Sequence, residues 1–322
     1  MIDPIPLRGL RALVTGANGF IGAHLTRALI DAGATVTGIV RAHSDLWRLR
    51  GVESTLETVC LDLRSDGASE LAAVEKPHVV FHLAAAGVDQ RSAEPRDMIA
   101  TNVASTLTLL QFAERSGVAR FVYCGSCFEY GEALRASETD LPRPLTEYGA
   151  TKAAGWLLAH AYGRRTGLDV VSLRPFTAYG PLEAPHRLIP NVIDRATHGD
   201  SIELTSGRQT RDFVYVSDVV EAFLRAASMP DIGGQTFNIC SGIETSVGDV
   251  VRTILRLLGS SAVPVFGAHP DRRPEIWRLF GDPDNARARL GWTPSTPLER
   301  GLELTIAARR RPVPAFAAKE LA

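Results

Sequence analysis

The sequence predicts an α/β fold built on a doubly wound parallel sheet, and three observations predict it. Short β-rich runs alternate with helical patterns. The runs are almost continuously apolar, as strands covered on both faces must be. The first run passes through a glycine-rich turn directly into a helix. In chain order the strands are expected at Ala12–Thr15, Thr35–Val40, Thr58–Leu61, Val79–Leu83, Phe121–Cys124 and Val170–Leu173. Ile21–Ala32, Pro95–Ser116 and Thr146–Thr166 carry the apolar spacing of crossover helices, which places helices on both faces of the sheet. Residues 1–174 are thus expected to form a dinucleotide-binding domain. After Arg174-Pro175 the pattern loosens into Pro- and Gly-punctuated segments, with helices at Leu188–His198, Val216–Ala227 and Val247–Leu258. Residues 175–322 therefore read mainly as a smaller, interleaved substrate-binding domain. Phe213–Tyr215 and Gln235–Ile239 have strand character, so segments near 210–240 are expected to return to the main sheet.

With 322 residues, 45% of them hydrophobic and 22% charged, the chain can bury a sizeable core. A formal net charge of −1 with interspersed signs argues against a nucleic-acid or membrane partner. The Arg309-Arg310-Arg311 triplet reads as a solvated helix end. Met1–Pro4 lacks a basic leader and the apolar run Val79–Val88 is too short to span a bilayer, so a cytoplasmic location is expected. Four cysteines do not make a disulfide framework. Cys124 and Cys127 have C-x-x-C spacing, but zinc would need a second ligand pair that the sequence lacks, and Cys124 reads as a strand end; no metal is expected.

The turn Gly16-Ala-Asn-Gly19-Phe-Ile-Gly22 suits a dinucleotide pyrophosphate. Gly16 allows the tight turn, Gly19 the close approach of the backbone and Gly22 the packing of helix on strand, while the helix N-terminus offers free N–H groups. The spacing is G-x-x-G-x-x-G, and Thr15–Gly22 resembles the extended short-chain dehydrogenases/reductases, the NAD-dependent epimerase/dehydratase family, whose fold is Rossmann-like. The resemblance runs through Asp62-Leu63, His82–Ala85, Thr101-Asn102-Val103, Gly281-Asp282 and Leu290-Gly-Trp292. It implies a cofactor site of Gly16, Asn18, Gly19, Phe20, Ile21, Gly22, Asp62, Leu63, Leu83, Ala84, Ala85 and Asn102, with Tyr148 and Lys152, and a homodimeric assembly.

Tyr148 and Lys152 stand at i and i+4 of one helix and share a face. A phenol that exchanges protons near neutral pH needs a positive charge nearby, and about 4 kcal/mol of attraction at ~4 Å would lower its pKa by up to about three units. The family carries Ser or Thr four residues before a Tyr-Gly; Ser126, before Tyr130-Gly131, takes that place. Ser126, Tyr148 and Lys152 are the expected catalytic set, with Ser126 also binding the substrate oxygen.

Two departures narrow the expected reaction. Family dehydratases and decarboxylases place a carboxylate base two residues before that Tyr; Phe128 stands there, and Glu129 should point elsewhere. At the end of the second strand Arg41 replaces the acid that would hold the adenosine ribose; with Ser44 and Arg48 as helpers it suits a 2′-phosphate. NADP(H) is therefore expected over NAD(H). Arg211, in Arg211-Asp-Phe-Val-Tyr-Val-Ser-Asp218, and Arg273 resemble arginines that contact a nucleotide diphosphate, and Thr177 stands where the family has asparagine. The expected function is an NADP(H)-dependent reductase of a nucleotide-linked keto-sugar, such as a 4-keto-6-deoxy sugar, with Tyr148 giving the proton. The alternatives are a nucleotide-sugar epimerase, either with retained cofactor or with Cys127 and His186 as carbon acid and base, and a non-catalytic dinucleotide sensor.

Overall fold

The computed structural model describes residues 7–65, 71, 74–89 and 94–310. Met1–Pro4 and Arg311 lie outside the described residues. A parallel sheet of seven strands forms the centre: β1 (Arg11–Thr15), β2 (Thr35–Val40), β3 (Leu56–Cys60), β4 (Val79–His82), β5 (Arg120–Cys124), β6 (Val170–Pro175) and β7 (Thr236–Ile239). Their order is β7-β6-β5-β4-β1-β2-β3. Order reverses between β1 and β4, which are paired with Thr15 opposite His82. A crevice outside the carboxyl ends of the strands opens at such a switch point, where α/β sheets bind ligands.

Helices α1 (Phe20–Asp31), α2 (Ser105–Ser116) and α3 (Glu147–Thr166) connect the strands. One apolar cluster holds Leu25 and Leu29 of α1 against Val14, Val36 and Phe237; the other holds Leu109, Phe112 and Trp156 of α2 and α3 against Leu13, Val80 and Phe121. Because β-strand side chains alternate between faces, Leu13 and Val14 fall into different clusters. The segment before α2 is a short helix, Pro95–Ile99, followed by a π-helical turn at Ala100–Ala104.

Beyond β6 the chain forms α4 (Leu188–His198), α5 (Val216–Ser228), α6 (Val247–Leu258) and α7 (Leu298–Arg310). Ile189, Ile193, Val250, Ile254 and Leu302 make a third apolar cluster. The expected return to the main sheet is half right. Thr236–Ile239 pairs with Ser172–Pro175 as the edge strand, whereas Phe213–Tyr215 pairs with Thr177–Tyr179 in a separate ladder. The Thr177 N–H donating to the Asp212 carbonyl at 2.9 Å starts that pairing. The arginine triplet is not simply solvated, since Arg309 is ion-paired with Asp194. Among the described residues no helix is long and apolar enough to cross a membrane.

Candidate active site

The crevice is lined on one side by the glycine turn. Gly16 has a left-handed φ of 68°, and a methyl on Gly22 would run into the Gly16 carbonyl. The close packing of α1 on β1 thus requires glycine. Gly19 is the N-cap of α1 and provides no side-chain cap, which leaves the first N–H groups of the helix to a ligand. Those N–H groups, with Asn18, Phe20 and Ile21 in the same turn, fit a dinucleotide pyrophosphate.

Opposite lies the loop after β4. The Ala84 N–H donates to Thr15 Oγ1 at 3.1 Å, and Thr15 Oγ1 contacts His82 Nδ1 at 2.8 Å. His82 Nε2 contacts Thr106 Oγ1, whose own proton goes to the Asn102 carbonyl. The hydroxyl is therefore an acceptor for His82 Nε2–H, and Nδ1 accepts from Thr15. Burial and the nearby Lys152 charge press His82 down to about 3, so the ring is neutral and structural. Asn102 has a structural role of its own. Its Oδ1 accepts from the Ala86 N–H at 2.9 Å, and its Nδ2 donates to the Ala86 carbonyl and to Thr151 Oγ1. Asn102 thereby fixes the Leu83–Ala86 loop to the helix that carries Tyr148.

Helix α3 begins at Thr146, whose hydroxyl accepts from the Gly149 N–H at 3.1 Å. A side chain at Gly149 would meet the Phe128 carbonyl, so Tyr148-Gly149 lets α3 press onto the loop bearing Ser126. The Ser126 hydroxyl favours the ionised form of the Tyr148 phenol. Lys152, one turn on, is 1% exposed with its ammonium 4.4 Å from the centre of the Tyr123 ring. Burial lowers the Lys152 pKa and raises that of Tyr148, against which Ser126 pulls. Desolvation is the largest influence on the phenol here.

Glu129 does point elsewhere. It is fully buried, its Oε1 accepting from the Ser126 N–H at 2.8 Å and its Oε2 pairing with Arg174 Nε at 2.8 Å. Arg174 Nη1 donates to Tyr130, and Tyr130 donates to Asn238 on β7. This chain, unread in the sequence, anchors Ser126; the Arg174-Pro175 junction was its only visible trace. Phe128 packs edge-on against Tyr148, ring centres 5.9 Å apart.

Cys124 and Cys127 are free thiols raised by burial to about 11 and about 12. His186 pairs with Asp89 at 3.2 Å. Arg211 donates to the Thr210 and Ile276 carbonyls at 2.7 Å and pairs with Glu275 at 3.1 Å; its charge reaches Cys127. Glu275 and Arg273 line one cavity of about 470 Å³ with Arg272 and Trp277; Arg211 does not line it and is tied to it only through Glu275. Thr177 is half-buried at the start of its ladder.

After β2 the expected 2′-phosphate cluster assembles only in part, Ser44 joining Arg41 while Arg48 turns away. Arg48 Nε donates to the Leu182 carbonyl, Ser44 Oγ accepts from the Arg41 N–H, and the Arg41 charge acts on Asp62. Asp62 is ion-paired with Arg64 at 2.7 Å, which holds its carboxyl at about 2. Leu63 is buried beneath it. Among the described residues no cluster of His, Cys, Asp or Glu is set to bind a metal.

The model of the NAD dependent epimerase/dehydratase family matches residues 12–240. A UDP-glucose 4-epimerase of Mycolicibacterium smegmatis is 35% identical over 92% of this chain and 97% of its own length. A probable UDP-glucuronate 4-epimerase of Rhizobium meliloti is 29% identical over 91% and 95%. The structure of Thermus thermophilus UDP-glucose 4-epimerase complexed with NAD superposes with a TM-score of 0.84 at 28% identity, covering 94% of this chain and all of that one.

Proposed function

The chain belongs to the NAD-dependent epimerase/dehydratase family, and from that premise we propose that it is a UDP-sugar 4-epimerase that keeps NAD bound through its cycle. The observation that carries the reading is the Ser126–Tyr148–Lys152 set beside Phe128. Hydroxyl oxidation and its reversal need one proton-exchanging group, and Tyr148 is that group. Dehydration needs a second base, and a phenyl ring stands where it would be.

Gly16–Gly22 and Leu83–Ala85 would hold the dinucleotide, and Lys152 its nicotinamide ribose. NAD supplies the acceptor and donor of the sugar's hydride. The chain's own residues manage the proton and the pose. Ser126 accepts or donates a hydrogen bond at the sugar oxygen and sets it against the Tyr148 hydroxyl. Tyr148 takes the hydroxyl proton on the way to the keto-sugar and returns it to the opposite epimer, while the buried Lys152 ammonium stabilises the phenolate. Arg211 and Arg273 would hold the diphosphate while the sugar presents its other face.

The reductase reading rested on Arg41 and its helpers; Ser44 does contact Arg41, but Arg48 is committed to the Leu182 carbonyl. The relatives support NAD and epimerisation instead. Incubation of the purified protein with UDP-glucose, UDP-galactose or UDP-glucuronate, without added cofactor, tests the proposal. Interconversion of C4 epimers is expected; stoichiometric NADPH consumption with a keto-sugar would overturn it.

A further inference from the structure

One side chain joins the glycine turn to the loop that follows Tyr179. Arg48, on a 3-10 turn at Trp47–Leu49, donates from Nε to the Leu182 carbonyl at 2.8 Å and from Nη1 to the Asn18 carbonyl at 3.4 Å. Asn18 lies inside the Gly16–Gly22 turn. Leu182 lies 134 residues away in sequence. The Arg48 guanidinium rests on the Trp47 ring, 4.4 Å from its centre. Arg27 fixes the same stretch from below, donating to the Arg48 and Arg50 carbonyls at 2.7 and 2.6 Å. A second tie lies alongside, between His24 Nε2 and the Pro181 carbonyl at 2.8 Å.

The loop is held in an unfavourable shape to make these contacts. Leu182 has φ 65°, a left-handed conformation that branched side chains avoid, and its carbonyl meets Arg48 in that pose. Behind it Glu183 is 8% exposed, with Oε2 lacking a hydrogen-bond partner. Neither strain nor a buried unpartnered oxygen is needed to finish the sheet or the Ser126–Tyr148–Lys152 site. Both are explained if the loop's task is to lie across the glycine turn.

We propose that Arg48 is a clasp that fastens the Pro181–Glu183 loop over the pyrophosphate turn and so slows escape of the bound dinucleotide. The proposal builds on the epimerase reading, in which the cofactor is retained between half-reactions. Arg48 is a positioning residue in this scheme, since its donors go to protein carbonyls. An ammonium cannot span two carbonyls on opposite sides as a guanidinium does.

The test compares Arg48→Met with the wild type. Methionine keeps an apolar stem over Trp47 and removes every donor. Both proteins are loaded with radiolabelled NAD, chased with unlabelled NAD, and followed by rapid filtration; the thermal midpoint of each apo protein is measured in parallel. Release at least tenfold faster, with an apo midpoint close to wild type, is expected. Release at the wild-type rate, or acceleration only alongside a large loss of apo stability, would refute the clasp. If Arg48→Met does not fold, Arg48→Lys carries the same comparison, with an intermediate rate expected. The release ratio judges the clasp even if the wild type proves not to epimerise, whereas the cofactor-free incubation judges the epimerase reading alone.

Discussion

Glu183 offers a quantitative test of how the loop is built. Its carboxyl is buried, and desolvation, only partly countered by Arg187, lifts its pKa from 4.5 to about 7. A raised acid pKa means that the folded protein holds the proton more tightly than the unfolded chain does. Below pH 4.5 the group is neutral in both states and costs nothing. As pH rises from 4.5 through 7 the unfolded chain ionises first, and stability falls; above 7 the loss is complete. At 1.36 kcal/mol per pKa unit the loss is about 3 kcal/mol. Glu183→Gln removes the titration. Whatever constant offset the amide introduces, the stability difference between variant and wild type should shift by about 3 kcal/mol in favour of the variant between pH 5 and pH 8. For a chain of this length that is about 5 °C in Tm. Denaturant or thermal unfolding at half-unit pH steps measures it. A difference that stays flat across the range would mean that the carboxylate is solvated or paired in solution, and the account of a buried, half-satisfied acid would be wrong.

Tyr148→Phe should leave the fold and NAD binding intact while lowering kcat by about 10²–10⁴, the usual scale for a lost general acid–base group, checked by steady-state epimerisation. Breaking the buried pair with Glu129→Gln should cost about 3–5 kcal/mol in urea unfolding, because Arg174 is left as an uncompensated buried charge. The double change Glu129→Gln with Arg174→Gln should recover part of that loss; no recovery would show that the two residues act independently.

Much of the scaffold was legible because its signals are local. A strand running into Gly16–Gly22, apolar runs of strand length and a Thr146 cap each act over a few residues. Phe213–Tyr215 misled because a three-residue apolar run states that it pairs and not with what; the partner is chosen by the Asp212 carbonyl and Thr177. The resemblance puts Asn102 at the cofactor, but nothing in its local sequence shows that its amide also ties Ala86 to Thr151, contacts 16 and 49 residues away. Arg41 and Arg48 look like equals in the sequence, and only folding reveals that the second is drawn to Leu182.

The main sheet closes late. Its edge strand Thr236–Ile239 and the helix Val216–Ser228, which packs against α1, are both made after the chain has left to build the ladders beginning at Thr177. Modular exchange of the part beyond residue 175 is therefore not a single-crossover operation. A recombinant joined near residue 175 would inherit its edge strand and flanking helix from the donor, and any mismatch there would bare the hydrogen-bonding groups of β6 as a template for aggregation. Chimeras that swap 177–215 and 240–310 as two separate inserts, keeping 216–239 with the parent, respect the way the chain is threaded.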